Sequence, residues 1–158
     1  MFTDIVKSTN LVDAMGDEAW EGVLERHDQT LRSCFSAHHG LEINKVGDGF
    51  FVGFDSPGDA VECAVTVQRR LRQESRHSYV PKVRVGLHRA EATQKGRDYG
   101  GKGVHAAARI GALAGAGEIL ASRDVIDAAD LRFPVSEPRS ITLKGVSEPV
   151  EVASIIPN

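Results

Sequence analysis

The 158-residue chain is poor in several things at once. It has 2 cysteines, 1 tryptophan and 2 tyrosines. Cys34 and Cys63 lie in helix-like stretches and lack CxxC spacing, so neither a disulfide framework nor a thiolate metal centre has the residues it needs. No apolar run approaches the roughly 18 residues that a membrane-spanning helix requires, and the first residues carry no charged, apolar, small-residue leader pattern. The net charge is only -3, without the basic face or stripe by which nucleic-acid binders are recognised. What remains is ordinary globular composition, 41% hydrophobic and 26% charged, which excludes disorder along the whole chain. The expectation is one compact domain over residues 1–158, cytoplasmic, with reduced thiols, no nucleic-acid partner and no direct membrane contact. Phe2 to Val6 reads as a core strand with almost nothing ahead of it, so the domain is expected to be excised from a larger protein with further residues before Met1.

Periodicity orders the elements. Ser8 or Thr9 is positioned to cap a short helix, and Asp17 opens a longer one through Trp20, Val23, Leu24, His27, Leu31 and Phe35. Leu41 to Val46 and Phe50 to Phe54 flank Gly47-Asp48-Gly49, a hairpin signal because Asp-Gly suits turns with positive φ. Ser56-Pro57 starts a second long helix. A strand at Val83 to Leu87 follows, then a glycine-rich stretch from Gly96 to Gly103 and a small-residue helix from Val104 to Ala114. The tail offers a strand at Glu118 to Ala121, a helix from Ser122, and strands near Ile141 and over Val150 to Ile155. This order predicts an α+β fold of ferredoxin-like, palm type, an antiparallel-rich sheet with helices on one face and a smaller α/β C-terminal tail. Phe2, Trp20, Phe35, Phe50, Phe51 and Phe54 follow strand and helix periods and read as packing residues.

Asp4 ends the first strand and Asp48 tips the hairpin that lies beside it in such a sheet. Two carboxylates brought together in this way suit Mg²⁺ or Mn²⁺, hard ions that favour oxygen ligands and substrate phosphates. Taken alone, Asp48 is an ordinary turn residue. Gly96, Gly101 and Lys102 imitate a phosphate-binding GxxxxGK[ST] loop, but Gly103 stands where a hydroxyl should meet the metal, and no strand directly precedes the stretch.

Several segments in one order carry a resemblance over nearly the whole chain. Phe2-Thr3-Asp4-Ile5-Val6-Lys7-Ser8-Thr9 resembles the opening FTDIxxST signature of the class III adenylyl and guanylyl cyclases. Val46-Gly47-Asp48-Gly49-Phe50 resembles their GDGF hairpin, and Val83 to His88 their RVGxH strand. Asp98-Tyr99, Val104, Ala107-Ala108-Arg109 and Leu143-Lys144-Gly145 extend the likeness into the tail. The resemblance implies a cyclase that turns ATP into 3′,5′-cyclic AMP and pyrophosphate, with Asp4 and Asp48 holding two divalent ions, Mg²⁺ or Mn²⁺. It implies that Arg109 stabilises charge on the α-phosphoryl group and that Lys144 binds the triphosphate. It also implies a homodimer with composite sites, one subunit giving the aspartates and the other the remaining groups.

Two positions depart from the family pattern. Asn44 stands where ATP users carry a base-selecting lysine, with Lys45 one residue off register and so on the opposite strand face. Asp98 matches the second base-selecting position, where a carboxylate accepts from the adenine amino group. Asn44 can donate to adenine, or turn its amide to suit guanine, which keeps guanylyl cyclase activity open. His105 replaces the ribose-orienting asparagine. It either fills that role or marks a degenerate cyclase-homology domain that binds nucleotide as a regulatory module without turnover. A diguanylate cyclase shares the carboxylate logic, but the chain lacks a GGDEF-type hairpin.

Overall fold

The computed structural model describes residues 1–89, 93–95, 98–100, 102–145 and 147–157, with residues 93–104 in backbone only. The chain opens with β1 (Phe2–Ile5), α1 (Ser8–Met15), α2 (Asp17–Ala37), β2 (Leu41–Val46), β3 (Gly49–Gly53) and α3 (Pro57–Glu74). It continues through β4 (Val83–Leu87), β5 (Thr93–Lys95), β6 (Asp98–Gly100) and α4 (Lys102–Leu113). The tail comprises β7 (Ile119–Ser122), α5 (Arg123–Ala128), β8 (Arg139–Ile141) and β9 (Val150–Ile155). The main sheet runs β2-β3-β1-β4-β7-β9-β8, and β5 pairs with β6 separately. Every pairing is antiparallel except β4 with β7.

Strand alternation divides the sheet into two faces. Thr3 and Ile5 of β1 are buried while Phe2 and Asp4 are half-buried. Ile5, Val83, Val85, Phe50 and Val52 point into the larger core, where α2 supplies Trp20, Val23, Leu31, Cys34 and Phe35 and α3 supplies Val61, Ala64, Val65 and Val67. Each Val, Ile, Leu or Phe among them, withdrawn from water, contributes about 1.5–3 kcal/mol. Gln68 is buried among them because its Nε2 donates to the Val83 carbonyl at 2.9 Å, which satisfies the amide.

The expected α+β, palm-type class is what the chain adopts, but its helices lie on both faces. Helix α4 covers the side opposite α2 and α3, where Ala106, Ile110 and Ala114 pack with Leu120, Leu143 and Val152. It reaches the sheet so closely that a Cβ on Gly86 would lie 2.3 Å from the Gly111 nitrogen. Two facing glycines make that approach possible.

Other elements differ in detail. Ser56 accepts from the Asp59 N–H and Pro57 takes the first turn of α3, as expected. No side chain caps α1, whose entry is Lys7 in a left-handed conformation at φ 56°. The β2–β3 turn has only Gly47 and Asp48 between paired Val46 and Gly49, and the positive φ falls on Gly47 at 60°. Two short strands, β5 and β6, pair antiparallel, and β6 falls within the Gly96 to Gly103 stretch read as a glycine-rich connection. Among the described residues no helix is long and apolar enough to cross a membrane.

Candidate active site

Asp4 and Asp48 come together through the packing of β3 on β1. A Cβ on Gly49 would sit 2.7 Å from the Thr3 carbonyl oxygen, so only glycine lets the hairpin close at this point. The Phe50 N–H donates to the buried Thr3 hydroxyl at 3.2 Å and fixes the register just past the turn. The two carboxyls then lie within hydrogen-bonding reach of one another, with the Ser8 hydroxyl and the Ile5 N–H also on Asp48. Burial, then the hydrogen bond and charge of Asp4, push the Asp48 carboxyl up to about 6, against the opposing pull of Ser8 and Ile5.

Arg84 completes this side. It is registered directly across from Asp4 on β4. Its Nη2 and Nε donate to Asp4 Oδ2 at 2.7 and 3.2 Å, and its Nη1 donates to the Ala112 carbonyl of α4 at 3.0 Å. Arg84 is the arginine of the Val83 to His88 strand segment, to which the sequence alone assigns no role. The available signal was a cation at a strand position whose alternation matches that of Asp4.

Arg109 and Lys144 form a second group. Leu143 is buried against Ala106 and Ile110, which anchors the loop beside α4. The Arg109 guanidinium lies over Gly145, where a Cβ would meet Nη1 at 3.2 Å. Gly145 also has φ +81°, a left-handed conformation suited to glycine. Lys144 is exposed next to it, and His105 is exposed one turn before Arg109 on the same side of α4. Among the described residues no carboxylate pairs with Arg109 or Lys144, and no hydrogen bond or ion pair joins this group to Asp4 and Asp48.

The β2 strand separates Asn44 from Lys45. Asn44 is exposed and registered against Phe51, whose ring meets Phe2 edge-on at 5.8 Å, which places it on the face of Asp4. Lys45 is registered against Phe50 and reaches the opposite face, where its Nζ lies 2.9 Å from Asp28 Oδ2 on α2. Strand β6, which carries Asp98, runs against β2. The Asp98 side chain lies outside the described residues, as do Gly96 and Gly101.

Two half-buried carboxyls within hydrogen-bonding reach of one another are a donor set that fits a hard divalent cation. Among the described residues no third His, Cys, Asp or Glu joins them, which matches an ion whose remaining ligands are water and phosphate. The chain belongs to the adenylate and guanylate cyclase catalytic domain family, whose model matches residues 1–154. It is 32% identical over 152 residues to an adenylate cyclase of Mycosarcoma maydis, covering 80% of this chain and 6% of that protein. It is 28% identical over 200 residues to the receptor-type adenylate cyclase GRESAG 4.2 of Trypanosoma brucei brucei, covering 96% of this chain and 35% of that one. The chain thus spans well under half the length of these curated relatives. Its fold is shared with an adenylate/guanylate cyclase/hydrolase from Silicibacter pomeroyi at TM-score 0.85 and 22% identity, over 99% of this chain and 94% of that one.

Proposed function

We propose that the chain converts ATP to 3′,5′-cyclic AMP and pyrophosphate at an interface between two copies of itself. The observation that carries this reading is the convergence of Asp4 and Asp48, whose half-buried carboxyls lie within hydrogen-bonding reach of one another. Asp4 and Asp48 hold two divalent ions, Mg²⁺ or Mn²⁺. Bound there, the ions supply Lewis acidity to the ribose 3′-hydroxyl and the triphosphate. The 3′-hydroxyl releases its proton to solvent water as a bond forms between the 3′-oxygen and the α-phosphorus, the bond from that phosphorus to the oxygen bridging to the β-phosphate breaks, and pyrophosphate leaves.

Arg109 donates to the α-phosphoryl oxygens as charge grows there, a role in which one placed donor contributes about 3 kcal/mol. Lys144, beside it, binds the triphosphate. Asn44 and Asp98 face the base, and His105 the ribose. Two neighbouring cations that, among the described residues, have no acidic partner and no connection to the carboxylates suit a site whose halves come from different subunits. Asn44 favours a second reading, GTP as substrate, because its amide serves guanine as well as adenine.

Mixing Asp48→Ala with Arg109→Ala tests the shared site. Each variant alone should be inactive, and the mixture should recover activity because one heterodimer site keeps both sets. Heterodimers that form but stay inactive would overturn the composite site.

A further inference from the structure

Lys45 is one residue away from the position that faces the base, yet it is the better connected of the two. Its ammonium meets Asp28 Oδ2 on α2 at 2.9 Å, with side-chain exposures of only 27% and 13%. The other oxygen of Asp28 takes His27 Nδ1 at 2.9 Å. The Lys45 ammonium also lies 5.8 Å from the centre of the Phe50 ring, and the buried His27 ring stacks on that ring at 6.1 Å. Phe50 is fully buried and stands two residues after Asp48. Farther from the turn, Arg32 holds Glu42 at 2.7 Å, but that pair is more exposed. At the turn Val46 and Gly47 are exposed, and just past it Phe50 also meets the Phe35 ring of α2 at 5.3 Å and the Arg32 guanidinium at 5.2 Å.

We propose that Lys45 is a positioning residue. Tied to Asp28 and resting on Phe50, it clamps the β2–β3 hairpin to α2 and thereby keeps the Asp48 carboxylate beside Asp4. The inference rests on the reading of Asp4 and Asp48 as the metal pair. A partly buried ion pair of this kind holds its geometry better than a surface pair, and breaking one partner leaves the other charge poorly solvated. The clamp acts on metal affinity through the strand and never touches substrate.

The test is a Mn²⁺ titration without nucleotide, read as the rise in thermal midpoint that a ligand bound only by the folded state produces. Lys45→Met and Asp28→Asn should each require about tenfold more Mn²⁺, the lower end of what losing an outer support of a metal ligand costs. Lys45→Arg should stay near the wild type, and the double variant should be no worse than either single, because both remove one contact. In turnover, these variants should need more metal for half-maximal rate while kcat returns close to the wild-type value at saturating metal. Should Lys45→Met fail to fold, Asp28→Asn removes a charge but no atoms and reads the same contact. A Lys45→Met or Asp28→Asn titration that superimposes on the wild type, while Asp48→Ala abolishes binding, overturns the clamp alone. Absence of Mn²⁺ stabilisation in the wild type overturns the metal pair and the clamp with it.

Discussion

Replacing Gly86 by alanine puts a methyl group where the sheet and α4 nearly touch. The added Cβ would lie 2.3 Å from the Gly111 nitrogen, 2.6 Å from its Cα and 2.7 Å from the Ala107 carbonyl oxygen. All three are backbone atoms, so no rotamer change relieves the clash, and α4 must lift by about 1 Å to reach ordinary contact. Overpacking of this kind costs about 1–3 kcal/mol, and a Gly→Ala change returns at most about 1 kcal/mol through the unfolded chain. A net loss of about 2 kcal/mol lowers the thermal midpoint by about 4–8 °C in a chain of this size. Because α4 carries His105 and Arg109, the same displacement should reduce turnover by about 10²-fold. Gly111→Ala is the internal control, since its Cβ meets chiefly the Phe2 ring at 2.8 Å and a half-exposed ring can turn aside. Urea unfolding followed by far-UV circular dichroism measures both variants. A Gly86→Ala midpoint equal to the wild type, or a larger loss for Gly111→Ala, would refute the close-approach argument.

Gly22 lies inside α2 with nothing nearer than an Arg26 side-chain atom at 3.9 Å from its added Cβ, so Gly22→Ala should stabilise the protein by up to about 1 kcal/mol in the same urea assay. The folded-state value for Asp48 is raised from 3.8 to about 6, so its proton is held more tightly in the folded chain. That contribution to stability is complete below the unfolded value and is lost as the pH rises through the folded one. Without metal, Asp48→Asn should therefore gain on the wild type between those values. Mn²⁺ at neutral pH should reverse the order, both effects being read by chemical unfolding. Arg84→Met removes donors to Asp4 and to the Ala112 carbonyl and should cost about 2 kcal/mol, typical of hydrogen bonds to a charged group. A loss below a few tenths in urea unfolding would show that the pair is not holding β4 to β1.

The elements with local punctuation were legible in the sequence. Ser56-Pro57 opens α3 as read, and Val83 to Leu87 is a strand with those bounds. Asp4 and Asp48 could be brought together on paper because a ferredoxin-like sheet sets the hairpin beside the first strand, as β3 pairs with β1. What could not be read were contacts that join distant segments. Arg84 and Asp4 are 80 residues apart, and nothing local marks them as partners. The Asp28 to Lys45 pair spans a helix end, a turn and part of a strand, so neither residue advertises the other. Helix α4 was recognised by its small residues, yet the face it covers depends on Gly86 meeting Gly111 across the sheet. The β5–β6 hairpin was missed because glycine there suggested a loop, while strand pairing is a tertiary matter.

The most direct measurement is to incubate the purified protein with Mn²⁺ and either ATP or GTP and to identify the products by chromatography, with Asp48→Ala as the blank. The account predicts 3′,5′-cyclic AMP and pyrophosphate from ATP, both absent from the blank. Cyclic GMP from GTP alone would contradict the assignment of Asn44 and Asp98 to adenine, and no cyclic product from either nucleotide would contradict the catalytic account itself.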